Sequence, residues 1–188
     1  MTRRWPWWVV AAGGALMAAL WPVYISLHGP TSVNEERRLL DRDPLFWGAM
    51  MEGLSSVLIA AGLLALLPGI WRVLGRVARV GYVLVLVSLV VPGVFDLVIL
   101  GTAPPLLVPF EAVGLALIAG AGRRLHPTTR VVFAVMAAML AVAFATSLVP
   151  VEQWDAVEGF RYTGLLAHVG VGVGWAVVGV TEAVRPSR

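Results

Sequence analysis

The chain has 188 residues, of which 59% are hydrophobic and only 13% charged, with a mean hydropathy of +0.86. A soluble domain carries about a quarter charged residues, so long uncharged runs at half that charge point to a bilayer-embedded protein rather than a large soluble core. The net charge is +3, every basic residue is Arg and Cys is absent; Arg in short clusters between apolar runs excludes the continuous basic face of a nucleic-acid binder, and the lack of Cys excludes disulfides, thiolate nucleophiles and Cys-ligated metal sites.

Six apolar runs are long enough to span a bilayer, at roughly 17–25 residues per crossing: 5–27, 45–68, 80–101, 104–121, 131–150 and 162–181. Together they predict an all-α, polytopic six-helix bundle forming a single membrane domain over 1–188, in the cell membrane. The first run follows "TRRW" and is longer than the roughly 7–15-residue apolar core of a cleavable signal. With Trp21-Pro22 where a small-residue cleavage site would stand, it is expected to be a retained helix.

The longest connection, 28–44, contains "SVNE" (Ser32 to Glu35), which fits a capping box. A short helix is expected there, with Leu39 and Leu40 on the membrane surface and "DRDP" ending it. This loop is either a lid or a plain interfacial connector. Asp43-Pro44 reads as an N-cap and first position for the second span. In the third span Pro92 cannot donate to the carbonyl of Ser88, so a kink is expected one turn before Asp96. The fourth run is the shortest and carries Pro104, Pro105 and Pro109, so an irregular start is expected. The sixth carries a stripe at spacings of three and four, Arg161, Gly164, His168, Gly172 and Trp175. Its small residues predict a close helix contact, with Gly170 and Gly174 on a neighbouring face.

Orientation follows from Arg in the short loops. Arg3, Arg4, Arg72, Arg76, Arg79, Arg123, Arg124, Arg130, Arg185 and Arg188 fall on one side; Arg37, Arg38, Arg42 and Arg161 fall on the other. The ratio of ten to four predicts both termini in the cytoplasm. Trp5, Trp7, Trp8 and Trp71 at inner boundaries, and Trp47 and Trp154 at outer ones, read as an aromatic belt. His28 and His126 fall at interfaces.

Four ionisable residues lie inside apolar runs: Glu52, Asp96, Glu111 and His168. Counted from the outer end of each span, all fall roughly 8–10 Å deep at about 1.5 Å per residue. A charge in hydrocarbon is costly unless it is paired or serves a polar site. Asp96 and Glu111 flank the tight "GTAPP" turn, so their helices are expected to be antiparallel neighbours. Two bare charges held close would not both ionise, so such a pair shares a proton, holds a cation or pairs with Arg161 or His168. The plain alternative is that each acid reaches interfacial water independently.

Complete catalytic motifs are missing. "EGLSS" (Glu52 to Ser56) resembles the GxSG of intramembrane serine proteases only in part: the fourth position is Ser and the partner helix is absent. "NEERRLL" departs from the EExxxR of intramembrane CAAX-type proteases. "GVGVGW" lacks the strand and loop of a dinucleotide site. Without a Glu-x-x-His pair no metal centre is expected, and no cofactor. The expectation is an outward-facing pocket lined by Glu52, Asp96, Glu111 and His168, with Arg161 as a possible counter-charge. It would bind or move a proton, a cation or a small amphipathic molecule, with the lipid bilayer as its other partner and no nucleic acid. Two other readings are an intramembrane enzyme using acid catalysis on a lipid-soluble substrate and a structural or assembly subunit.

Overall fold

A computed structural model describes residues 4–27, 38–99, 105–123, 125–148 and 163–185. Helix α1 spans Trp5–Leu27, α2 Pro44–Val73, α3 Arg76–Ile99, α4 Val108–Ala121, α5 Pro127–Ser147 and α6 Leu165–Val184. Among the described residues there is no β-strand, only an isolated bridge between Leu39 and Arg42. Five of the helices, all but α4, are long and apolar enough to cross a membrane. The outer surface has the same character. On α3 the residues Val77, Val80, Val83, Val87, Val91, Val94 and Val98 form an outward stripe at spacings of three and four. A water-facing helix would put polar residues there; a helix facing lipid has no need of them. Helices of this length and apolarity fit a multi-pass membrane protein.

Several helices run past the apolar segments. Arg72 lies in α2, Arg76 and Arg79 in α3, and Arg130 in α5, because backbone hydrogen bonding does not stop where hydrocarbon does. Helix α2 also continues through Pro68. The α4 start is irregular as expected, with a 3₁₀ turn at Pro105–Leu107 leading into the helix.

Asp43 caps α2, its Oδ1 accepting from the Phe46 N–H at 2.8 Å with Pro44 following. The residues before it are not the end of a surface helix. Leu39 and Arg42 exchange both backbone hydrogen bonds at 3.0 Å across Leu40 (φ 51°) and Asp41 (φ 58°). That is the geometry of a two-residue reverse turn, which needs positive φ at both central positions. The turn is tied to α2: Trp47 Nε1 donates to the Leu39 carbonyl at 3.3 Å, and the Arg42 guanidinium lies over the Phe46 ring at 4.9 Å.

Each helix packs on the next in chain order, and α6 returns to pack on α1, closing a ring. The closest seams are glycine against backbone. A Cβ on Gly172 would lie 2.8 Å from the Gly14 carbonyl oxygen, and one on Gly14 would lie 2.5 Å from that of Gly172. Between α3 and α4, Gly81 and Gly114 meet in the same way, at 2.5 and 2.7 Å. Without a hydrophobic driving force between helices in lipid, such close approach is what van der Waals packing requires. Gly170 and Gly174 instead face Met139 and Met136 of α5.

At the arginine-rich end Glu182 joins α6 to α5. It accepts from Thr129 Oγ1 at 2.7 Å and from the His126 N–H at 3.2 Å, and pairs with Arg185 at 3.3 Å. Arg130 Nε donates to the Ala119 carbonyl at 2.8 Å, tying in α4. Trp5, Trp8 and Trp71 are exposed at this end as a belt would require, but Trp7 is buried in the core. One turn of helix cannot turn adjacent residues to one face.

The α1–α6 seam should tolerate no bulk. Replacing Gly172 with Leu is expected to cost about 3 kcal/mol, at the upper end of overpacking penalties. Val173→Leu, on the exposed face, should leave the melting temperature in detergent nearly unchanged. Equal melting temperatures for the two variants would place the seam elsewhere.

Candidate functional site

At the end away from the arginine clusters the ring encloses a cavity of about 230 Å³ to which every helix contributes. Its ionisable lining is Glu52 from α2, Asp96 from α3, Glu111 from α4 and His168 from α6, with Ser56 and Ser88 beside them. Met17, Leu89, Leu140, Phe144 and Val171 make much of the remaining wall. Arg161 lies outside the described residues, as do His28, Trp154 and the Ser32–Glu35 capping box.

The backbone around these side chains departs from regular α-helix. Glu52 sits in a π-helical turn, Ala49–Leu54, within α2. His168 sits in a second one, Leu165–Gly170, that opens α6. Single π turns inside α-helices are rare and concentrate at functional sites. Asp96, fully buried, follows Pro92 by one turn, and both line the cavity. Since Pro92 has no N–H for the Ser88 carbonyl, the ladder is interrupted at the cavity wall; Ser88 Oγ donates to the Leu84 carbonyl at 2.7 Å. Glu111 occupies the first turn of α4, where the free N–H groups and the positive end of the helix dipole favour a carboxylate.

Glu52 Oε1 lies 3.1 Å from His168 Nε2, within hydrogen-bond reach. This contact joins the two π turns, on helices that flank α1 and are not neighbours in sequence. Trp21 of α1 stacks on the imidazole, 5.1 Å between centroids and 25° between planes. Gly164 makes room for Trp21, since a Cβ there would overlap the indole. Asp96 and Glu111, the pair on which the sequence focuses attention, line the same cavity from antiparallel neighbours α3 and α4.

A residue that the sequence places only on a packing stripe stands next to Glu111. The Trp175 indole N–H approaches the Glu111 carboxyl, yet neither Trp175 Nε1 nor Glu111 Oε1 completes a hydrogen bond. Trp175 is 1% exposed and held edge-on against Phe133, 5.5 Å between centroids. Its spacing of seven from His168 is the signal that places it on the same face of α6.

Toward the arginine-rich end the polar lining stops. Leu63, Tyr82, Val85, Ile118, Phe133 and Trp175 surround a void of only about 20 Å³, room for one water at most. The Tyr82 hydroxyl is engaged, donating to the Leu63 carbonyl at 2.6 Å. Among the described residues no three of His, Asp and Glu converge closely enough to hold a metal ion. Compared with known protein families, curated proteins and solved structures, the chain matches none.

The Glu52–His168 contact should be measurable as a coupling. Glu52→Gln and His168→Ala should each lower thermal stability in detergent. The double variant should lose less than the sum, with an interaction energy on the order of 1 kcal/mol or more, as residues in contact give. Strict additivity would mean the two groups meet without interacting.

Proposed function

We propose that the protein crosses the cell membrane six times with both termini in the cytoplasm, and that its cavity is a binding site, open to the outer side, for a small amphipathic cation. The observation that carries this reading is the composition of the cavity wall. Glu52, Asp96 and Glu111 all line one cavity whose remaining wall is mostly apolar. A partly desolvated site lined by several carboxylates favours a ligand that brings positive charge, and the apolar walls favour one with a hydrocarbon body. At about 230 Å³ the cavity is smaller than the roughly 300–1,000 Å³ of drug-sized pockets, so the occupant is small. The apolar layer around Trp175 and Phe133 supports a binding site over a continuous ion pathway.

The orientation rests on the Arg asymmetry, and the absence of Cys makes it simple to test. A cysteine introduced at Asp41 should react with an impermeant maleimide in intact cells. One introduced at Gly75 should react only after the membrane is opened. The reverse pattern would turn the site toward the cytoplasm.

Binding can be tested with benzyltrimethylammonium, a compact cation with an aromatic body, on protein in detergent micelles. Saturable one-to-one binding is expected, with Asp96→Asn and Glu111→Gln each weakening it at least about tenfold, or about 1.4 kcal/mol. Neopentylbenzene, its neutral isostere, should compete poorly. Equal affinity for the two probes would show that charge plays no part and would return the acids to a structural role.

A further inference from the structure

We propose that the arginine-rich end of the α2–α3 hairpin is a binding site for an anionic phospholipid. Arg72, Arg76 and Arg79 take the headgroup phosphate, and the valine face of α3 takes an acyl chain. This site rests on the membrane-spanning reading and is independent of the cation cavity.

The arginines here lack protein counter-charges. Of the 11 acidic side chains in the chain, only Glu182 belongs to this end, and it is taken up by Thr129, the His126 N–H and Arg185. The others line the cavity or fall, in sequence, within the connections that join α1 to α2 and α5 to α6. Among the described residues none of Arg72, Arg76 and Arg79 meets a carboxylate. The dipole of α3 does not account for them, because the first turn of a helix favours acids; this one has no acid and opens with two Arg in four residues.

Arg79 is held in place. Its guanidinium lies over the Trp71 ring, 5.2 Å from the centroid, so the end of α2 fixes a side chain at the start of α3. Its Nε is buried and has no acceptor, and a buried donor left unsatisfied is costly. The side chain as a whole is only partly buried, so an anion can reach the rest of the planar fork. A stacked, weakly hydrated guanidinium suits a phosphate, which it can contact through two nitrogens at once. Arg72 and Arg76 are exposed on either side of Leu74 and Gly75. Orientation by positive charge asks for arginines at this end, but not for a stacked one.

The surface of α3 favours a lipid over a free phosphate. Arg76 heads the run Val80, Val83, Val87 and Val91, at spacings of four and three, and all four valines are exposed. From Val80 to Val91 the helix rises about 16 Å at 1.5 Å per residue, close to half of a hydrocarbon core roughly 30 Å thick. A phosphate held at Arg76 thus has an apolar strip one leaflet long running from it.

The test titrates the full chain, purified in dodecylmaltoside, with dioctanoylphosphatidylglycerol or dioctanoylphosphatidylcholine and follows the melting temperature. A ligand that binds only the folded state raises it. The anionic lipid should do so saturably, and the zwitterionic one, with the same chains, much less. Arg76→Gln and Arg79→Gln should each raise the half-saturating concentration about fivefold, the size expected of one Arg at an anionic membrane surface. Arg185→Gln removes the same charge from the end of α6, which packs on neither α2 nor α3 along the ring, and should keep the wild-type half-saturation. Equal stabilisation by the two lipids would overturn the site. So would a loss in Arg185→Gln as large as in Arg79→Gln, since attraction would then be diffuse. Glycerol 1-phosphate matching the anionic lipid would make the ligand a free phosphate and overturn the lipid. Labelling of the Gly75 cysteine reads the membrane crossing separately, so the two can fail apart.

Discussion

The contact of Gly14 with Gly172 is the point on which the architecture turns. Consecutive helices pack because short connections hold them together, but α1 and α6 are brought together by nothing in the chain order. Their seam exists because each presents a bare backbone to the other, and in lipid that close approach supplies most of the association energy available. With the seam open, the helices would form a curved layer and the acidic side chains would face lipid. With it closed, the same residues face a common interior. The Glu182 node at the arginine-rich end and the Trp21–His168 stack near the other hold the ring at both levels.

Once the ring is closed, its irregularities fall in one layer. The π turns of α2 and α6, the proline break in α3 and the 3₁₀ entry to α4 all lie at the cavity. Toward the arginine-rich end the same helices are regular and their interior is apolar. A regular helix directs side chains at fixed angular steps, and four separate helices would rarely aim four ionisable groups at one space by that rule alone. Local departures from the rule supply the missing rotations, each at some cost in backbone hydrogen bonding. Consistent local geometry in the packed half and broken geometry in the polar half is the pattern expected where a site constrains a fold.

Much of this was legible in the sequence. Hydropathy located the helices, the Asp43-Pro44 pair marked the start of α2, and the depth of Glu52, Asp96, Glu111 and His168 placed them at one end. The stripe of Gly164, His168 and Gly172 identified the face of α6 that meets α1. What was hidden depends on geometry that a linear pattern does not encode. A π turn has no sequence signature, so the meeting of Glu52 with His168 could not be read, and attention went to Asp96 and Glu111 because they are close in sequence. Leu39–Arg42 looked like the end of a surface helix because its Leu pair was apolar, while left-handed backbone at Leu40 and Asp41 made a reverse turn. Trp7 looked like part of the belt because it lies between Trp5 and Trp8, yet helical rotation carries it inward. Glu182 carries no signal in the sequence, because only the fold brings the start of α5 beside it.

The two π turns also have a meaning for how such a protein can change over generations. A π turn is, in effect, one residue inserted into an α-helix. Deleting a single residue from Ala49–Leu54 would leave Ser55–Val73 seated where Ile59 and Gly62 meet α1. Everything ahead of the deletion, Trp47 and the Asp43 cap included, would swing by about 100°. The same holds for Leu165–Gly170 and the seam at Gly172. The rim of the cavity can thus be re-aimed by one-residue insertions and deletions while the glycine contacts keep their register, so recognition at the mouth and assembly of the bundle are free to evolve on separate schedules.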